Sequence, residues 1–139
     1  MENQPQQHKC PFRHPIITRD YGCENAQEVT FREGPGIVCV NNDSWQRCTV
    51  LFEALKSAAL PAFEVVDDLT EMPASVIRKI QYGGLSALAS MLNTQQDSID
   101  NINDVVGCAI DTYGAVDQLD YEVIVPIIKN YRMRKRRRG

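Results

Sequence analysis

Five cysteines stand in this chain of 139 residues, and four of them, Cys10, Cys23, Cys39 and Cys48, fall within the first 48 positions. Histidine is scarcer still, and both copies, His8 and His14, flank the first of these thiols. Four thiolates are the usual complement of one structural zinc or one iron–sulfur cluster, because soft sulfur donors suit those metals. The chemistry indicated is a metal centre ligated by Cys10, Cys23, Cys39 and Cys48, with His14 available as a substitute for one of them. His8 reads as solvated.

The spacing bears on which metal. Intervals of twelve, fifteen and eight residues separate the four cysteines, so the short C-x2-C pair of a zinc knuckle is missing. Cysteines this far apart must be gathered by tertiary folding. Iron–sulfur clusters accept such ligands when an apolar shell keeps water away, and Phe12, Tyr21, Phe31, Ile37 and Trp45 are close by in sequence. The expected cofactor is a [4Fe–4S] or [2Fe–2S] cluster; the alternatives are zinc, or no metal and four packing thiols. Cys108, set among Val105, Val106, Ala109 and Ile110, reads as a buried packing residue.

The elements that must position these thiols follow from periodicity and turn chemistry. Residues 1–9 read as a flexible leader and 10–27 as irregular, restricted by Pro11 and Pro15. Val29 to Arg32 and Ile37 to Val40 read as the strands of a β-hairpin across Glu33-Gly34-Pro35-Gly36. Asn41 to Ser44 offer caps for a helix from Trp45 to Ala59, with Cys48 on its apolar stripe. A loop with Asp67, Asp68 and Glu71 leads to a second helix from Pro73 to Leu92, in which Gly83-Gly84 allows a kink or a close helix approach. Third and fourth helices are expected at 97–113 and 117–134, the latter disturbed by Pro126. The fold class is α+β and mainly helical: an irregular cysteine-rich segment with a hairpin, then a bundle of about four helices. Residues 10–131 form one compact domain, with the cysteine segment at 10–48, the bundle at 45–131 and a basic tail at 132–139.

Charge is unevenly distributed. The net charge is −3, yet Arg132, Arg134, Lys135, Arg136, Arg137 and Arg138 crowd the last eight residues. Between Lys79 and Lys129 there is no basic residue, while Asp97, Asp100, Asp104 and Asp111 fall there. These aspartates are candidates for an acidic docking face, since complementary charge accelerates and orients encounter. The tail residues Arg134, Lys135, Arg136, Arg137 and Arg138 are candidates for contact with a partner. They could also meet nucleic-acid phosphates, although an acidic body disfavours a dedicated nucleic-acid fold. No phosphate-binding loop, nucleophile elbow or protease signature is present, so independent catalysis is not expected. No secretory signal or membrane span is read in the sequence, and a cytoplasmic, reducing location would keep the thiols available to a metal. The sequence thus points to an iron–sulfur electron carrier or redox accessory subunit that serves a partner such as a redox enzyme or assembly factor. The alternative is a metal-free interaction module using the acidic face and the basic tail.

Overall fold

In the computed structural model, residues 8–32, 34–63, 74–92 and 99–131 are described. The leader up to residue 7, the loop with Asp67, Asp68 and Glu71, the start at Pro73, Asp97 and the basic tail lie outside them. The architecture is mainly helical α+β, with one antiparallel hairpin ahead of the helical bundle. No helix among the described residues is long and apolar enough to cross a membrane.

The hairpin pairs β1 (Ala26–Phe31) with β2 (Gly34–Cys39), from Ala26 opposite Cys39 to Phe31 opposite Gly34. Gly34 and Pro35, expected in the turn, belong to β2, so the reversal is tighter than read from sequence. Gly34 has φ +133°, which L side chains rarely adopt. Ile37 and Val38 are both buried, as a continuous apolar run in a doubly covered strand requires. On the far side of β2, Lys9 bridges Val38 and the Cys10 N–H donates to the Ile37 carbonyl at 2.9 Å. The segment carrying Cys10 is therefore docked along the hairpin and is not irregular.

A short helix, α1 (Arg13–Ile17), also occupies the stretch expected to be irregular. Its N-cap, Phe12, makes no side-chain cap. Instead the His14 N–H donates to Oε1 of Gln81, a glutamine that is only 1% exposed. A buried amide on a distant helix thus satisfies a helix-start donor that local sequence leaves orphaned. The Tyr82 hydroxyl adds a 2.8 Å bond to Asp20 and a 2.6 Å bond with Thr18.

Helix α2 (Asn42–Ala59) starts where the sequence indicates: the Asn41 side chain caps it by accepting from the Ser44 N–H at 2.9 Å. Ser44, Cys48, Leu51, Leu55 and Ala59 form its buried face at the i, i+4, i+7 spacing of a helical stripe. A 3-10 turn, Leu60–Phe63, ends it. Helix α3 (Ala74–Met91) packs closely on the last helix at Gly83 and on Leu55 of α2 at Gly84. A Cβ on Gly83 would stand 2.8 Å from the Ile128 Cα, so the pair serves close approach.

Helices α4 (Ile102–Tyr113) and α5 (Tyr121–Asn130) are shorter than their sequence periods suggest. Asn101 accepts from the Asn103 N–H and starts α4, and Gly114 ends it. A 3-10 turn at Val116–Gln118 fills the stretch expected to open α5. The core joins Phe12, Ile37, Leu51, Leu55, Ile80, Leu85, Leu88, Ile102, Val106, Ile124 and Ile128, all nearly inaccessible. Burying side chains of this size contributes about 1.5–3 kcal/mol each.

Candidate metal centre

The four N-terminal cysteines come from four segments, and the fold brings those segments to one end of the hairpin. Cys10 follows the Lys9 bridge to β2 and lies next to Phe12, which is fully buried and edge-on to Phe52 at 5.7 Å. Cys23 precedes β1 in a turn closed by the Ala26 N–H donating to the Cys23 carbonyl at 3.1 Å. Cys39 ends β2, opposite Ala26, and its thiol donates to the Asn41 carbonyl at 3.3 Å. Cys48 projects from α2 on the stripe that faces the core and is 8% exposed, whereas the other three are half-buried.

Electrostatics shows that the thiols sense one another. Burial is the main cause that pushes Cys10 up to about 12, and thiolates at Cys48, Cys23 and Cys39 would each push it further. Cys48 is also raised to about 12, first by burial and then by Cys23 and Cys39, while Arg47 acts in the opposite sense. Cys39 is raised by burial and by Cys23, with the Asn41 backbone and Arg47 offsetting part of the effect. Repulsion thus connects every pair among the four. At neutral pH, Cys10 and Cys48 are thiols, and a metal would have to displace their protons. Among the described residues, no three His, Cys, Asp or Glu side chains group tightly enough to hold a single ion.

A polar strap fastens this end of the molecule to α4. Asn103 Oδ1 accepts from the Ser44 hydroxyl at 2.9 Å and from Arg47 Nη2 at 2.5 Å. Its Nδ2 donates to Glu24 at 2.7 Å. The Glu24 N–H donates to Asn101 Oδ1 at 3.0 Å, and Asn25 Nδ2 donates to the Ser44 hydroxyl at 3.2 Å. Residues beside Cys23, beside Cys48 and at the α4 start are therefore one hydrogen-bonded unit. Sequence reading missed it. The one available signal was the density of Asn and Ser at two helix starts, Asn41 to Ser44 and Asn101 to Asn103.

The remaining candidates are placed elsewhere. The charges acting on the half-buried His14 ring are Arg13 and Arg78, which with burial lower its pKa; its surroundings are α1 and α3. His8 stacks edge-on against Trp45 at 4.6 Å and hydrogen-bonds Asn42 at 3.2 Å. The Trp45 indole N–H donates to the Lys9 carbonyl, clamping the residue before Cys10. Cys108, expected to be buried, is exposed: Val106 and Ala109 face the core, and Cys108 falls on the outer face of α4.

Asp100, Asp104 and Asp111 are exposed. Asp100 and Asp104 border a groove of about 440 Å³ with Ile99, Val105 and Cys108. A second groove, of about 730 Å³, is lined by Asp43, Arg47 and Val50 of α2, Ile110 of α4, and Val116 and Asp117 of the following 3-10 turn. Asp97, Arg134, Lys135, Arg136, Arg137 and Arg138 lie outside the described residues. No protein-family model matches this chain, and neither a curated protein nor a solved structure resembles it closely enough to carry an assignment.

Proposed function

We propose that this protein carries an iron–sulfur cluster on Cys10, Cys23, Cys39 and Cys48 and works as an electron carrier or redox accessory subunit for a protein partner. The observation that carries this reading is the gathering of four thiols from four separate segments at one end of the hairpin, each within electrostatic reach of the others. The partly buried surroundings, with Phe12 and Ile37 behind the thiols, supply the low-dielectric shell that tunes such centres. When bound, the cluster supplies one-electron chemistry; the chain supplies the ligands, the fixed charges near them and the surface that meets the partner. Exposed Asp100, Asp104 and Asp111 suit a partner with a basic docking face.

Anaerobic purification of the full chain, with an absorption spectrum and iron, sulfide and zinc analysis, tests this. A brown protein with stoichiometric iron and sulfide, lost on serine substitution at each of the four cysteines, is the expected result. Zinc without iron would make the centre structural. A folded, colourless, metal-free chain would leave the interaction module, for which the α2–α4 groove with Val50 57% exposed is the candidate surface.

A further inference from the structure

Of the fifteen Lys and Arg residues, ten belong to α1, α3, α5 and the sequence that continues from α5. Four of the ten are described: Arg13, Arg78, Lys79 and Lys129. Helix α1 is fixed to α3 by the His14 N–H on Gln81 at 2.9 Å. That bond sets Arg13 beside the turn of α3 that carries Arg78, three residues before Gln81, and both arginines act on the His14 ring. Lys79 reaches the other way and donates to the Lys129 carbonyl at 3.3 Å, at the C-terminal end of α5. A basic band thus crosses three helices. Arg13, Arg78 and Lys129 are exposed, and among the described residues none of the four is in an ion pair. No acidic residue occurs in α1 or α3, and Glu122 of α5 lies in its first turn, at the opposite end from Lys129. Of the carboxylates near α1, Asp20 accepts from the Tyr82 hydroxyl at 2.8 Å and Glu28 pairs with Arg19 at 3.6 Å. Tyr131 stacks on Tyr82 at 5.9 Å, so the chain continues from this end of the molecule into Arg132 and the five further cations that close the sequence.

We propose that the band of Arg13, Arg78, Lys79 and Lys129 binds the phosphate backbone of a nucleic-acid duplex, with the basic sequence after Tyr131 adding to the same contact. This activity is independent of any metal at the cysteines. Clustered cations with no carboxylate among them are the electrostatic footprint of a polyanion site. A duplex presents one phosphate charge per about 1.7 Å of its axis, so one ligand can neutralise every cation of the band and of the sequence that follows it. The surface suits phosphates rather than bases: the Lys79 ammonium covers Phe63 at 5.9 Å and Tyr131 is stacked on Tyr82, so both rings already have a partner, whereas single-strand binding needs aromatic faces for stacking. It suits a duplex rather than a lipid surface because the exposed large apolar side chains lie elsewhere: Val40 follows the hairpin, Val50 is on α2, and Val123 is in the first turn of α5. A basic patch without an apolar anchor holds a membrane only weakly. The exposed Asp104 and Asp111 belong to α4, a separate element, so the acidic residues of the chain leave the band unpaired. Backbone contacts carry no sequence information, and binding should not depend on the base sequence.

The experiment titrates a fluorescently labelled DNA duplex of arbitrary sequence with the full chain as purified, and reads anisotropy at salt concentrations between about 50 and 200 mM. Binding should weaken about a thousandfold or more across that range, as six or more phosphate contacts require. R13Q/R78Q/K129Q removes three exposed charges and should lower the slope of log affinity against log salt by about 3. R136Q/R137Q/R138Q in the full-length chain should lower it by a similar amount. R78Q alone should lower the slope by about 1, and it decides the matter if the triple variant does not fold. A triple variant, or R78Q in its place, that binds with wild-type affinity and slope overturns the inference, because the C-terminal sequence would then act without the folded band. No binding to the duplex at the lowest salt also overturns it. So does tighter binding to phosphatidylserine vesicles, which would make the band a lipid site, or to a single-stranded oligonucleotide of the same length. Each of these outcomes leaves the cysteine reading where the iron and sulfide analysis puts it.

Discussion

Asn103 is the place where a single substitution should loosen the cysteine end without touching a cysteine. Its side chain serves three partners: Ser44 at 2.9 Å, Glu24 at 2.7 Å and the Arg47 guanidinium. A neutral hydrogen bond contributes about 0.5–1.5 kcal/mol net and one to a charged group about 1.5–3 kcal/mol. The Glu24 bond is exposed and sits at the low end of its range, whereas Ser44 is buried and Arg47 partly so. N103A should therefore cost roughly 3–5 kcal/mol, a large part of the 5–15 kcal/mol that holds a typical domain together. Equilibrium urea denaturation of the metal-free chain reads this directly, as a lower midpoint at unchanged slope. N103D keeps the acceptor for Ser44 and Arg47 but sets a second carboxylate against Glu24 in place of the 2.7 Å donor, so it should lose the Glu24 bond and add repulsion there while retaining the other two. An N103A chain within about 1 kcal/mol of wild type would mean that water replaces the strap at no cost, and the account of a rigid polar unit beside Cys23 and Cys48 would fall.

Alkali should weaken the metal-free protein. Cys10 and Cys48 are raised from 9.0 to about 12, so between those values the folded chain binds more protons than the unfolded one. The stability they contribute is fully present below pH 9 and is lost as pH rises toward 12, at about 1.4 kcal/mol per pH unit for each thiol; urea melts at pH 8 and pH 10 that coincide would refute it. Thiol labelling of the native metal-free chain should modify exposed Cys108 first. Cys10 and Cys48 should lag far behind, because a three-unit rise leaves about a thousandfold fewer thiolates, and equal rates read by mass spectrometry would contradict their burial. G83A should destabilise the chain by about 1–3 kcal/mol, since the new Cβ would meet the Ile128 backbone at 2.8 Å; a neutral result in thermal melts would show that α3 and α5 can move apart freely.

What the sequence disclosed was decided by how local each determinant is. The hairpin and α2 were legible because strand alternation, turn glycines and an Asn cap act over a few residues. Helix α1 was not, since its five residues owe their start to Gln81, which is 67 positions from His14. The third and fourth helices were drawn too long because apolar periodicity continued into segments where the caps at Asn101 and Asp120 begin the real helices. Cys108 was misread for a related reason: a thiol amid valines looks buried in sequence, yet the helical turn carries it to the outer face. For the candidate site, residue type alone named the four cysteines. Nothing local announced Arg47 or Asn103, whose side chains meet across 56 positions.

The wide spacing of the cysteines has a thermodynamic corollary. A zinc knuckle draws its ligands from a short segment that the metal itself folds. Here the candidate ligands are spread over the hydrophobic core and its margin: Cys48 belongs to it with Leu51, Leu55, Ile80, Leu85, Leu88, Ile124 and Ile128, and Cys10 and Cys23 pack against it. A metal bound at the proposed site would add its free energy to a chain with a core of its own. The fold also confines four groups that would repel one another once ionised, a conflict tolerated only while they stay protonated or share a cationic group. Burial enforces the first condition in the metal-free chain. The same burial makes Cys10 and Cys48 poor nucleophiles in the metal-free chain.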